Sequence, residues 1–400
     1  MTLLYHIAEF TFWISFGLVF ICFFGLRWML LAALPPDKEI QALDDKELPS
    51  VSVLIAAYNE EEYITTRLNN LLSSHYPADK IRVFVVSDKS TDNTLKVVQS
   101  LNDHRVTPIE APKRMGKLGI LDWYVPQLPD DFVLITDCKV KNEPDALRKL
   151  MSCFADPKVG IVGANSRGII SSNSKDDIGD SRVLKNDLPD ADLQRYYLRG
   201  RNHVKTLFSR VGRSVALAGT FYAFRKEVFK PLKTPVHDDV VLAMETLATG
   251  WKSLLVPDAK VFYFFPSDNT QNFKRKTRLA VLNLTTLPRV LKLAFKTDFL
   301  TTIFTIFHLI VAWLSIYLIL LALIAVFILH SYHPFYQILG WTAMSVILLG
   351  TVGLTIRNTN IKMGIISQVA NFMFLASTRL LAVVYVIRGG VKEYWNPKSF

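Results

Sequence analysis

Cysteine is nearly absent from this 400-residue sequence: Cys22, Cys138 and Cys153 are the whole complement. They lack the paired spacing of a disulfide framework or a zinc site, which fits a reducing compartment. Two glycine-rich phosphate signatures are also missing. No G-x-G-x-x-G follows the first strand-like run and no G-x-x-x-x-G-K-[ST] occurs anywhere, so dinucleotide-binding and P-loop folds fit poorly. Gly116-Lys117 alone is only a weak phosphate signal. Acidic residues are outnumbered, 35 against 46 basic ones, for a net charge of +11. The basic residues concentrate beside apolar segments, where anionic lipid head groups attract them, so nucleic acid is not an expected partner. No internal repeat or low-complexity tract is present.

What the chain does have is apolar surface. Hydrophobic residues make up 50% of it and the mean hydropathy is +0.24, above what a soluble core of this length needs. No charge interrupts Phe10 to Gly25, and the apolar stretch resumes after Arg27 as far as Leu34, enough to cross a hydrocarbon layer of ~30 Å. The segment before Phe10 has no basic residue and no obvious cleavage site, so a retained anchor is expected rather than a signal peptide. Further apolar segments lie near Ile303 to Leu329, Ile338 to Leu354 and Ile365 to Ile387. The link from Arg357 to Lys362 is basic while His330 to Gln337 has neither Lys nor Arg, which puts the long polar region in the cytoplasm. Arg388, Lys392 and Lys398 run against that bias, so the last segment reads equally as re-entrant or interfacial. The expected organisation is an anchor over 1–37, a cytoplasmic domain over 38–271, amphipathic interfacial helices over 272–300, membrane helices over 301–390 and a tail over 391–400. The tail's Tyr394 and Trp395 suit head-group level.

The polar region begins with a β-branched run, Val51-Ser-Val-Leu-Ile-Ala-Ala. Apolar residues at Ile64, Leu68, Leu71 and Leu72 then predict a helix over Glu60 to Ser74, before a second run at Ile81-Arg-Val-Phe-Val-Val. A second helix is expected from Thr91 to Leu101, capped by Ser90 or Thr91. Further strands are expected at Phe132-Val-Leu-Ile-Thr and Gly160-Ile-Val-Gly. The pattern is α/β with a mostly parallel sheet. Ser171 to Asp192 reads as a loop over the domain face. Ligands of such a sheet bind beyond the carboxyl ends of the strands. Reading those ends gives Ala57-Tyr58-Asn59-Glu60, Ser87-Asp88 and Asp137, an acidic cluster suited to nucleotide hydroxyls and a divalent cation. Singly, each Asp reads as a cap or turn residue.

With these residues in view the chain resembles the family 2 glycosyltransferases of the GT-A fold over about Leu48 to Leu291. Ile55-Ala-Ala-Tyr-Asn-Glu-Glu resembles their P-x-x-N-E segment, Val86-Ser-Asp-Lys-Ser-Thr-Asp-Asn-Thr their D-D-x-S-x-D-x-T, and Arg114-Met-Gly-Lys-Leu-Gly their lysine-bearing loop. Ala218-Gly-Thr-Phe-Tyr-Ala-Phe-Arg is similar to the acceptor-side strand, which places Gly219 and Thr220 by the acceptor. His237-Asp-Asp-Val-Val-Leu is similar to E-D-x-x-L. The resemblance implies inverting transfer of a sugar from a nucleotide diphosphate donor, a UDP-sugar above all, to a glycan or lipid-linked acceptor. Asp239 would be the base, its proton affinity raised by Asp238. Asp88 would hold the base or ribose, Ala57 and Tyr58 the base pocket, Glu60 the ribose, and Lys117 the nucleotide or its phosphates.

Two departures qualify the resemblance. The family's metal-binding pattern has Asp or Asn where Lys139 stands. Either Asp137 alone holds Mg²⁺ or Mn²⁺, or the Lys139 ammonium takes part of the cation's role on the diphosphate. In Gln271-Asn-Phe-Lys-Arg-Lys-Thr-Arg, Gln271 and Arg275 keep the spacing of the processive synthases' Q-x-x-R-W, but Lys276 replaces the tryptophan. Arg278 follows, and the group suits either an acceptor or a lipid surface. The rival readings are a silent nucleotide-sugar-binding scaffold of an export assembly and a polyprenyl-phosphate glycosyltransferase. A transporter has little support, Arg379 being the one membrane charge away from chain ends.

Overall fold

The computed structural model describes residues 2–21, 43–170, 205–233, 235–265, 269–356 and 364–389. The expected loop at Ser171 to Asp192, the link from Arg357 to Lys362 and the tail with Tyr394 and Trp395 lie outside them.

After helix α1 (Thr2–Phe20) the chain alternates strands and helices. These are β1 (Val51–Ala57), α2 (Ile64–Leu72), β2 (Ile81–Ser87), α3 (Thr94–Ser100), β3 (Val106–Glu110), α4 (Gly116–Tyr124) and β4 (Phe132–Thr136). Then come β5 (Val140–Asn142), α5 (Ala146–Ser152), β6 (Val159–Ile170), β7 (Phe221–Arg225), α6 (Asp238–Ala248) and β8 (Lys252–Phe265). One sheet of order β3-β2-β1-β4-β7-β6-β8-β5 results. β1 to β4 are parallel and β6 is parallel to β8, while β7 runs against β4 and β6, and β5 against β8. The sheet is therefore mixed, with a parallel half.

Strand alternation builds two cores. Val51, Val53 and Ile55 of β1 join Leu134 of β4 under α2 and α5, whereas Leu54, Val133 and Ile135 face α4 and α6. The sheet is buried on both sides, an α/β sandwich.

Both early helices start later than their apolar spacing suggests. Asp92 Oδ1 accepts from Thr94 N at 3.0 Å, and Thr94 Oγ1 accepts from Glu60 N at 2.8 Å. The loops after β1 and β2 are tied to each other instead of entering a helix at once. Three strands escape the apolar pattern. β3 is an edge strand containing Pro108, tolerated there because an edge needs no donor on its open side. β5 has three residues, and β8 carries Pro257 where its register with β6 shifts.

Among the described residues four helices are long and apolar enough to cross a bilayer, one before the sheet domain and three after it. α1 begins at Thr2, before the expected start at Phe10, and the stretch from Arg27 to Leu34 lies outside the described residues. α8 (Phe299–Phe304), a π-helical turn (Thr305–Val311) and α9 (Ala312–Leu329) make one continuous apolar segment, followed by α10 (Pro334–Ile356) and α11 (Gly364–Ile387). Ala8 and Phe12 of α1 pack on Ala325, Val326 and Leu329 of α9.

The amphipathic segment is α7 (Asn269–Ala294). Its Val290 and Leu293 pack with Val240 and Met244 of α6, and its Ala280 and Val281 with Ala382 of α11. Leu291, Phe295 and Phe299 stay exposed beside Lys292 and Lys296 around the turn from α7 into α8, a mixture of apolar and basic side chains that suits a membrane interface.

Candidate active site

The loop after β1 places Asn59 in the left-handed region, φ 54°, a conformation asparagine tolerates. Its Oδ1 accepts from Thr91 N at 2.8 Å. At the end of β2, Asp88 is buried and its carboxylate is fully engaged. Oδ1 accepts from Met115 N at 2.7 Å, and Oδ2 from Gly116 N at 2.8 Å and Arg114 Nη1 at 2.7 Å. Gly116 has φ +71°, which a side chain would strain. Asp88 thus shapes the lysine-bearing loop. The Arg114 guanidinium lies 3.2 Å from the Tyr58 ring centroid, so it covers the ring expected to line the base pocket. Ala57 is buried, and its carbonyl accepts from Asp88 N at 2.8 Å.

The next residue, Lys117, joins the other side of the rim. Its Nζ lies 3.0 Å from Asp137 Oδ1, 3.1 Å from Asp238 Oδ2 and 2.9 Å from the Gly219 carbonyl. Burial disfavours its charge, but Asp137 and Asp238 outweigh that and raise its pKa. Through the single segment from Arg114 to Lys117, then, Asp88, Asp137 and Asp238 surround one rim. Asp137 N donates to the Thr220 carbonyl at 3.3 Å, and Thr220 Oγ1 is 2.9 Å from Ser166 Oγ. These bonds hold the start of β7 against the end of β4 on one side and against β6 on the other.

Asp238 and Asp239 open α6, where helix dipoles favour negative charge. Asp238 is the first helical residue rather than the cap, a position held by His237, and Asp238 Oδ2 accepts from Tyr222 Oη at 2.8 Å. Asp239 is buried, and burial followed by the neighbouring Asp238 raises its pKa. A Cβ on Gly219 would stand 3.4 Å from Asp239 Cγ, so glycine there borders the carboxyl without a side chain against it. His237 N donates to Thr286 Oγ1 at 3.0 Å, and its Nε2 lies 2.9 Å from Asn283 Oδ1. Burial lowers its pKa and favours the neutral ring. Both partners belong to α7, so the interfacial helix holds the residue next to the aspartate pair.

Lys139 lies 3.4 Å from Glu60 Oε2 and 4.6 Å above the Tyr63 ring. Burial raises the Glu60 pKa, with Lys139 acting against it. Gln271, Arg275 and Arg278 lie in the first turns of α7, with Arg275 over the Tyr263 ring at 5.7 Å.

Sequence reasoning missed Arg67. This residue of α2 is buried beneath the turn after β4, with Nη2 donating to Thr136 Oγ1 at 3.0 Å. Its Nη1 donates to Asn142 Oδ1 at 2.7 Å and to the Val140 carbonyl at 3.2 Å. Burial pulls its pKa down to about 10. The available signal was a charged residue three positions after Ile64 and four before Leu71, inside the apolar stripe.

The family model described as glycosyltransferase like family 2 matches residues 49–281. Among curated proteins, the chain is 24% identical over 211 residues to a poly-beta-1,6-N-acetyl-D-glucosamine synthase of Staphylococcus epidermidis, covering 52% of this chain and 47% of that protein. It is 32% identical over 130 residues to a beta-monoglucosyldiacylglycerol synthase of Nostoc sp., covering 32% and 27%. The chain thus spans about half the length, or less, of these relatives. Among solved structures, a mannosyltransferase from Pyrobaculum calidifontis, in complex with GDP-Man and Mn²⁺, aligns over 96% of this chain and 98% of its own, with a TM-score of 0.65 at 19% identity. That likeness shows the GT-A fold. With the family model covering more than half of its length, the chain belongs to glycosyltransferase like family 2.

Proposed function

We propose that this protein transfers a sugar, with inversion, from a nucleoside diphosphate donor to a hydroxyl of a glycan or lipid-linked acceptor. In that step the acceptor oxygen attacks the anomeric carbon and its proton passes to an Asp239 carboxylate oxygen. The bond from the anomeric carbon to the diphosphate oxygen breaks, and the nucleoside diphosphate leaves with the electron pair. The observation that carries this reading is the placement of Asp239: buried, beside a second carboxylate, and bordered by Gly219, which puts no side chain against it. A carboxylate with raised proton affinity is the base that such a step needs.

Tyr58, Glu60 and Lys139 face the donor in this reading, while Ala57, Asp88, Lys117 and Asp137 form the frame that fixes their positions. Gly219 and Thr220 border the acceptor, and Gln271, Arg275 and Arg278 guide it or its phosphate. A UDP-sugar is the expected donor, in keeping with the acetylglucosamine polymer named for the staphylococcal relative, and the acceptor points to cell-surface glycan synthesis. A divalent ion, when bound, would neutralise the diphosphate. The mannosyltransferase neighbour holds Mn²⁺, but here Asp137 is already paired with Lys117, so the donor set does not fit and no step depends on an ion. The protein sits in the cell membrane by four helices, with the sheet domain cytoplasmic by the basic bias of the 357–362 link.

The test is nucleotide release from UDP-sugars and other nucleotide sugars by the full-length protein in detergent. Asp239→Asn is expected to cut turnover by about 100-fold or more while donor binding persists. Donor binding by the unchanged chain with no turnover would favour a silent scaffold instead.

A further inference from the structure

The turn after β4 is where this fold would hold a divalent ion, and its composition favours a different cation. Asp137 is the one carboxylate of Asp137-Cys138-Lys139, and a partly buried ammonium, Lys117, already joins it to Asp238. A metal entering between these carboxylates would have to displace that charge. Mg²⁺ and Mn²⁺ also want several oxygen ligands, and no group of three or more His, Cys, Asp or Glu side chains is arranged to hold a metal among the described residues.

The two lysines of the rim differ in what they have left to offer. An ammonium has three donors, and those of Lys117 face Asp137, Asp238 and the Gly219 carbonyl. Lys139 has one ion pair, at 3.4 Å, and its side chain is 48% exposed against 25% for Lys117. It also stands just past the carboxyl end of β4, on the ligand edge of the sheet. Below it, Arg67 grips Thr136 and Val140, the residues that bracket the turn, and its bonded partners are all neutral. Arg67 thus fixes the backbone on either side of Lys139, and Asp137 is the carboxylate near enough to act on its charge.

We propose that Lys139 neutralises the donor's diphosphate in place of a divalent ion, an inference that rests on the nucleotide-sugar reading above. Its ammonium leaves Glu60 and pairs with a phosphate oxygen, while Asp137 stays with Lys117.

The experiment is calorimetric titration of the full-length protein in detergent with UDP and GDP, in EDTA and in Mn²⁺. Chelation is expected to leave the Kd of the preferred nucleotide unchanged within about twofold, and Lys139→Ala to weaken it about tenfold or more. The matching nucleoside, which has no phosphate, should bind both proteins alike. Lys139→Asp, which restores the Asp-x-Asp pattern, should bind the nucleotide only when Mn²⁺ is present. Loss of binding to the unchanged chain on chelation overturns the inference and leaves the transferase reading standing, as does a Lys139→Ala protein that binds as tightly as its parent. If neither nucleotide binds under any condition, both fall. The chelation arm needs no substitution, so it decides even where a variant does not fold.

Discussion

A general base must be unprotonated to work, which makes Asp239 the residue to follow with pH. Burial first, and Asp238 second, raise its pKa above that of an ordinary aspartate. Below the raised value the carboxyl is protonated and cannot take the acceptor's proton, so kcat should fall as pH drops, with an acid limb above the ~4 of an unperturbed aspartate. Asp238→Asn removes the like charge and should move that limb to lower pH in a kcat-against-pH profile. A limb that stays in place would show that burial alone sets it. Asp88 and Asp137 were legible because each stands where an apolar run stops, whereas Asp238 and Asp239 were legible only through the motif they resemble. Arg67 was not, since its partners Thr136, Val140 and Asn142 lie about seventy residues further along the chain. Nor could motif position reveal that Asp88 and Lys117 hold other protein groups, because that depends on which loop meets which strand end.

Elements were legible in proportion to their burial. β1, β2 and β4 lie between two helical layers and read as continuous apolar runs, whereas β3 and β5 are edges and carry no such signature. The membrane-compatible helices were plain in the sequence, but not the way they meet. At Gly353 of α10 a Cβ would stand 2.8 Å from Ala370 Cβ and 2.9 Å from the Ile366 carbonyl of α11. Small residues permit such close helix approach in lipid. Gly353→Leu should therefore force the pair apart and destabilise the protein by about 1–3 kcal/mol, seen as a lower Tm in detergent. Gly17→Leu is the control, because nothing lies within 4 Å of a Cβ there, and its Tm should hold.

For the whole molecule, orientation is the property that the fold leaves to the membrane. Lys46 is exposed on the sheet domain, Cys138 and Cys153 are buried, and Cys22→Ser removes the third cysteine. A membrane-impermeant maleimide should label Lys46→Cys in inverted vesicles and leave it unlabelled in intact cells. The reverse pattern would place the sheet domain outside. The sequence allowed this topology to be argued from loop charge. It gave no hint that sheet domain and membrane helices share a core, because Leu207, Phe208, Val240, Met244, Val290, Phe304 and Leu309 come from four distant stretches of chain.

That shared core has a consequence for how the protein works. Helix α6 rests its Val241, Leu242 and Ala243 on the sheet, and its Val240 and Met244 on segments that run into the apolar span, where Phe304 stacks on Phe208 at 4.0 Å. The aspartates at its tip therefore stand on a floor made half by the sheet and half by the apolar helices. Under the transferase reading, whatever shifts the apolar span is expected to reach the proposed base through this one helix.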